Sequence, residues 1–150
     1  MDASEITEYL YIGKTPSTKD QAQLLKMGVT LIINMRFEAR PRRDSLIQSL
    51  WLPTFDSPLI WIPIRVLKRG VDSAYGIIQS GGKVYVHCHG GIHRAVAMGC
   101  CILISKGYSP DDAMTLVKTR RPQADPDIWY IRRQICRFAQ INPYWEASPE

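Results

Sequence analysis

No stretch of the 150 residues is apolar over the roughly 18 positions that a membrane-spanning helix needs, so no transmembrane helix is expected. Met1–Glu5 contains no basic stretch leading into an apolar segment, which argues against a secretory leader and makes the cytoplasm the expected compartment. Cysteine is scarce. Cys88, Cys100, Cys101 and Cys136 have the spacing of neither a disulfide framework nor a paired-cysteine metal knuckle, so they read as free thiols. Internal repeats and linker-like stretches are also missing. One domain over residues 1–150 is expected, with 142–150 as a tail.

What is present is an ordinary globular composition, 45% apolar, with a net charge of +5. The excess of base favours anionic partners without choosing among phosphoprotein, nucleic acid and phospholipid. Basic residues gather at Arg36–Arg43, at Arg65–Arg69, and at Arg120 and Arg121, too scattered to form one arm.

Hydrophobic periodicity supplies the elements. Tyr9–Ile12 reads as a short strand closed by Gly13. Ser17 and Asp20 have capping-box spacing and open a helix that Gly28 ends. Val29–Asn34 is a buried strand by its β-branched, scarcely alternating run. Asp44–Leu50 reads as a short helix and Thr54–Pro58 as a loop. Ile64, Leu67, Val71, Ala74 and Ile78 place a helix over 63–80, with Pro63 in its first turn. Lys83–His87 is the next strand, and Arg94–Lys106 an apolar helix with small residues suited to close packing on a sheet. Capped helix starts follow at Ser109-Pro110 and Asp125-Pro126. Strands alternating with helices predict an α/β fold: a small, mostly parallel sheet of about four or five strands flanked by helices.

The centre of the chain is His87-Cys88-His89-Gly90-Gly91-Ile92-His93-Arg94. A cysteine ends a strand, a glycine-containing loop follows, and arginine opens a helix. Amides of such a loop point inward and bind an anion, and the same field favours thiolate, the reactive form of cysteine. Arg94 supplies a planar two-pronged donor for two oxygens of a tetrahedral anion. The chemistry suggested is phosphoryl transfer to sulfur, then hydrolysis. That reaction also needs a proton donor for the leaving oxygen. Asp56 is the candidate, with Asp44 and Asp72 as competitors.

These residues resemble the dual-specificity branch of the cysteine-based protein tyrosine phosphatases. The likeness runs from about Tyr9 to Phe138 and includes Tyr9–Gly13, the Cys88–Arg94 signature, and Leu116–Lys118 with Arg121-Pro122. It implies a phosphatase-like fold with Cys88 as nucleophile and Arg94 as phosphate ligand. Asp56, 32 residues before Cys88, would be general acid and then base. The loop from His89 through Gly90, Gly91, Ile92 and His93 to Arg94 would cradle the phosphoryl oxygens. His87 would be structural and help hold the thiolate. Ala95 departs from the family's usual Ser or Thr, which implies slow breakdown of the phosphocysteine. His93 is also unusual and would add positive charge to the rim when protonated.

The resemblance implies metal-independent hydrolysis of phosphate monoesters, with no cofactor. Protein phosphotyrosine leads as substrate, with phosphoserine or phosphothreonine next. A phosphoinositide or an RNA 5′-phosphate would also suit the charge. Trp61, Arg65 and Arg69 are candidates for the substrate rim, whereas Trp129 and Tyr130 are expected to pack. Cys100 and Cys101 are expected to pack in the core, with a redox bridge to Cys88 as the alternative. Two rival functions remain: a sulfurtransferase or arsenate reductase, and a non-catalytic phosphate-binding module.

Overall fold

The computed structural model describes residues 1–39 and 46–144. Its elements, in order, are β1 (Ala3–Thr7), β2 (Leu10–Lys14), α1 (Thr18–Lys26), β3 (Val29–Arg36), β4 (Gln48–Thr54), α2 (Ile64–Gln79), β5 (Lys83–Cys88), α3 (Arg94–Ser105), α4 (Pro110–Arg120) and α5 (Trp129–Ile141). The five strands form one sheet in the order β1-β2-β5-β3-β4. β1 runs antiparallel to β2, and every other pair is parallel. The expected α/β class and mostly parallel sheet are therefore present.

Alternation along β5 assigns the faces. Val84, Val86 and Cys88 point into the main core beneath α2, α3, α4 and α5, whereas Tyr85 joins a smaller cluster with Leu24 of α1. All twelve residues of α3 are buried. A β-carbon on Gly99 would strike the Ile12 side chain, so this glycine lets α3 lie close against β2. In a parallel sheet the loops beyond the carboxyl ends of the strands form a crevice. Here the ends of β3, β4 and β5 bring 36–38, 54–56 and 88–94 to one place.

Four readings of the sequence change. Residues 48–54, read partly as helix and partly as loop, form edge strand β4, paired with β3 in parallel. Leu52 and Thr54 point inward while Pro53 points to solvent, which an edge strand tolerates because it needs no amide there. Residues 44 and 45 lie outside the described residues. β1 was not anticipated, since its Ala-Ser-Glu-Ile-Thr run buries only Ile6. Helix α5 begins at Trp129, three residues after Pro126; Asp127 instead takes a hydrogen bond from Arg132 at 3.1 Å. The start of the supposed tail is docked: Asn142 donates to the Ile104 carbonyl at 3.2 Å, and Tyr144 stacks on Tyr75 at 4.1 Å.

Candidate active site

Beyond the end of β5 lies a cavity of about 500 Å³ lined by Arg36, Glu38, Asp56, Cys88, His89, Gly90, Ile92, His93 and Arg94. Cys88 is buried, and its sulfur accepts the Ala95 amide at 3.4 Å. Position 95 thus offers the sulfur a backbone donor and no hydroxyl. Gly91 adopts φ +65°, and a β-carbon there would come within 2.8 Å of the Gly13 carbonyl oxygen. The turn therefore needs glycine at position 91 for both conformation and space. At Gly90 an added β-carbon would meet only the Ile92 side chain, at 3.3 Å.

Arg94 is held by what the sequence did not reveal. Its Nη1 donates to the Thr54 carbonyl at 2.8 Å and to Glu38 Oε2 at 3.2 Å, while Nη2 donates to Glu38 Oε1 at 3.1 Å. Glu38 thereby occupies one edge of the guanidinium. Among the described residues, the Nε on the other edge is buried without a partner. Burial works against the charge on Arg94, but Glu38 and Cys88 outweigh it and keep the guanidinium protonated. In return, hydrogen bonds from Arg94 outweigh burial and hold the Glu38 carboxyl down at about 2. Arg36 extends the network, donating to Glu38 Oε1 at 3.0 Å and to Thr15 Oγ1 at 2.8 Å. No periodic pattern marks Glu38, because it reaches Arg94 across 56 residues of sequence.

Below the loop, Arg121 is fully buried. Its Nε donates to the Gly91 carbonyl at 2.8 Å, Nη2 to the Gly90 carbonyl at 3.1 Å, and Nη1 to Asp2 Oδ1 at 2.9 Å. The Arg-Pro corner seen in the sequence is therefore a strut that ties the loop to β1.

The family-model description "Dual specificity phosphatase, catalytic domain" matches residues 10–141. The chain belongs to the dual-specificity phosphatase family. The phosphatase domain is 30% identical to protein-tyrosine-phosphatase MKP1 of Arabidopsis thaliana, over 99% of this chain and 18% of that protein. It is 26% identical to dual specificity phosphatase 28 of Mus musculus, over 94% of this chain and 82% of that one. Of dual specificity protein phosphatase 2 of Mus musculus it spans 43%, so some relatives are more than twice its length. Among solved structures, the human tyrosine phosphatase-like serine/threonine/tyrosine-interacting protein superposes with a TM-score of 0.82 at 28% identity, covering 93% of this chain and 97% of that one. No described helix of the phosphatase domain is long and apolar enough to cross a membrane.

Several expected site residues of the phosphatase domain converge and others do not. Cys88, the loop from 89 to 94 and Asp56 share the cavity. Asp72 does not line it; it sits on α2, held by Lys68 at 2.9 Å and Tyr144 at 2.6 Å. Asp44 lies outside the described residues. His87 points to the face opposite Cys88, 6.0 Å from the Tyr85 ring. Burial, aided by Arg36, pushes its imidazole down to about 4, so at neutral pH it brings no positive charge to the sulfur. Trp61 and Arg65 line a separate cavity of about 570 Å³ with Leu59, Pro63, Ile64, Gln134 and Arg137, whereas Arg69 lines neither cavity. Tyr130, expected only to pack, donates its hydroxyl to Asp56 Oδ1 at 2.7 Å. Next in sequence to the lining residues Arg36, Glu38 and Asp56, the rings of Phe37 and Phe55 lie 4.3 Å apart and both residues are exposed.

Proposed function

We propose that the domain hydrolyses phosphate monoesters on proteins, phosphotyrosine foremost, without a metal ion and through a cysteinyl phosphate. The observation that carries this reading is the buried Nε of Arg94, which has no partner among the described residues, at a cavity lined by Cys88. A phosphoryl group seated there would satisfy that donor, together with the inward amides of 89–94, and would place phosphorus over the sulfur. Sulfur attacks phosphorus while Asp56 gives a proton to the leaving oxygen. Water then attacks the phosphocysteine while Asp56 takes a proton back. The exposed rings of Phe37 and Phe55 suit an aromatic ester, which favours phosphotyrosine over the shorter phosphoserine and phosphothreonine.

Hydrolysis of p-nitrophenyl phosphate against pH, for wild type and variants, tests the scheme. Cys88→Ser should abolish turnover. Asp56→Asn should cost about 10²–10⁴-fold and remove the alkaline limb of the profile. Ala95→Ser should speed release of phosphate from the enzyme and reduce any burst. Wild-type binding of a phosphopeptide with no hydrolysis would point instead to a phosphate-binding module. A stable persulfide on Cys88, or arsenate turnover with a thiol, would point to the sulfur- or arsenic-handling enzymes.

A further inference from the structure

Both oxygens of Asp56 are engaged, although it sits on a loop. Tyr130 holds Oδ1 from α5, and His93 Nδ1 lies 2.9 Å from Oδ2, reaching from the residue that precedes α3. The other ring nitrogen of His93, Nε2, stands 3.6 Å from Asp125 Oδ2 in the α4–α5 connection. The imidazole also meets the Tyr130 ring edge-on, with centroids 6.0 Å apart. Two other segments thus meet on this carboxyl, and a third, through Asp125, stands behind His93. The other titratable groups that line the same cavity are Cys88, His89 and Arg94 in the cup, and Arg36 and Glu38 across it.

A carboxyl oxygen and an imidazole nitrogen 2.9 Å apart repel when both are bare acceptors, so in the resting pair one proton lies between them. Asp125 favours a hydrogen on Nε2, which leaves Nδ1 as the nitrogen that shares this proton. We propose that Asp56 and His93 form one proton-handling unit, in which His93 and Tyr130 are positioning residues that aim Asp56 at the leaving oxygen. This rests on Asp56 being the general acid. In the first step the S–P bond forms, the P–O bond to the leaving group breaks, and the shared proton passes through Asp56 to the leaving oxygen. Carboxylate and imidazole lone pair then face each other, an arrangement relieved when a proton returns. In the second step water attacks phosphorus, the P–S bond breaks to release thiolate, and the water's proton restores the pair. The unit therefore assists the step that loses a hydroxyl at Ala95.

His93 is the N-cap residue of α3, a position where asparagine is favoured, so His93→Asn should fold and keep a neutral donor in place of Nδ1. The readouts are kcat, KM and pH profile with p-nitrophenyl phosphate and with phenyl phosphate, whose leaving group is poorer. His93→Asn should lower kcat about tenfold through the second step, lower kcat/KM more for phenyl phosphate than for p-nitrophenyl phosphate, and move the alkaline limb of kcat/KM to lower pH. Tyr130→Phe should lower kcat several-fold with that limb in place. An unchanged ratio between the two esters with an unmoved limb in His93→Asn overturns the proposal, as does an effect confined to KM. If Asp56→Asn itself retains full activity, it is the underlying assignment of the acid that fails.

Discussion

Replacing Arg121 with methionine should unseat the 89–94 loop from below. The guanidinium is fully buried and serves the Gly90 and Gly91 carbonyls, the Asp2 carboxylate, Ser4 Oγ at 3.1 Å and the Ile12 carbonyl at 3.4 Å. Methionine fills the stem's volume but leaves the glycine carbonyls without their donor. Breaking a buried charged pair costs about 3–5 kcal/mol. The Asp2 side chain is 38% exposed and can recover water, so the lower end, about 3 kcal/mol, applies. For a domain of this size each kcal/mol lowers the melting temperature by about 2–4 °C, giving a drop of roughly 6–12 °C. Phosphate contacts displaced by about 1 Å should also cost up to roughly 10²-fold in kcat/KM. Arg121→Lys keeps the charge without the fork and should fall between. Scanning calorimetry and aryl phosphate kinetics read both effects. A melting point within 2 °C of wild type, together with kcat/KM within about twofold, would refute the idea that this strut shapes the loop.

Gly91→Ala should be far worse than Gly90→Ala. The left-handed backbone alone costs about 1–2 kcal/mol, and the added carbon would press on the Gly13 backbone; paired melting curves and kcat/KM measure the contrast. Glu38 is held at about 2 against an ordinary 4.5, so the fold binds fewer protons there than the unfolded chain does. Its contribution to stability should be complete above about pH 4.5 and fade as pH falls toward 2, with Asp2 acting in the same direction. Glu38→Gln should flatten the acid slope of stability in a denaturant series taken at several pH values. Burial pushes the Cys100 and Cys101 thiols up. Native-state alkylation at neutral pH, read by peptide mass spectrometry, should leave both unmodified, whereas a Cys88 disulfide to either would contradict their complete burial in α3.

The parts of the site that lie in one short stretch were legible. A strand, a cysteine, a glycine turn and an arginine at a helix start follow each other in sequence, so their chemistry reads directly. The partners that arrive through the fold were not. Glu38, Thr54 and Arg121 reach the loop from 30 to 60 residues away, and none carries a periodic or spacing signal. Arg121 showed only as part of an Arg-Pro corner, and Tyr130 looked like packing because its apolar ring hides the hydroxyl's task. Edge strands were the weakest reading. β1 buries a single residue, and β4 contains a proline, so each lacks the continuous apolar run that marked β3 and β5. A strand-by-strand view also explains His87. Adjacent residues of β5 face opposite sides, which sets this imidazole apart from the neighbouring sulfur.

Helix α3 has no outward side, for the sheet lies beneath it and α2, α4 and α5 surround it. The arginine at its start is consequently fixed to a post that cannot be trimmed or recharged from solvent. Near the cavity, the side chains of Phe37, Phe55 and Ile92 stand clear of the core. Descendants of this chain could exchange those side chains freely and inherit the same anchored guanidinium unaltered.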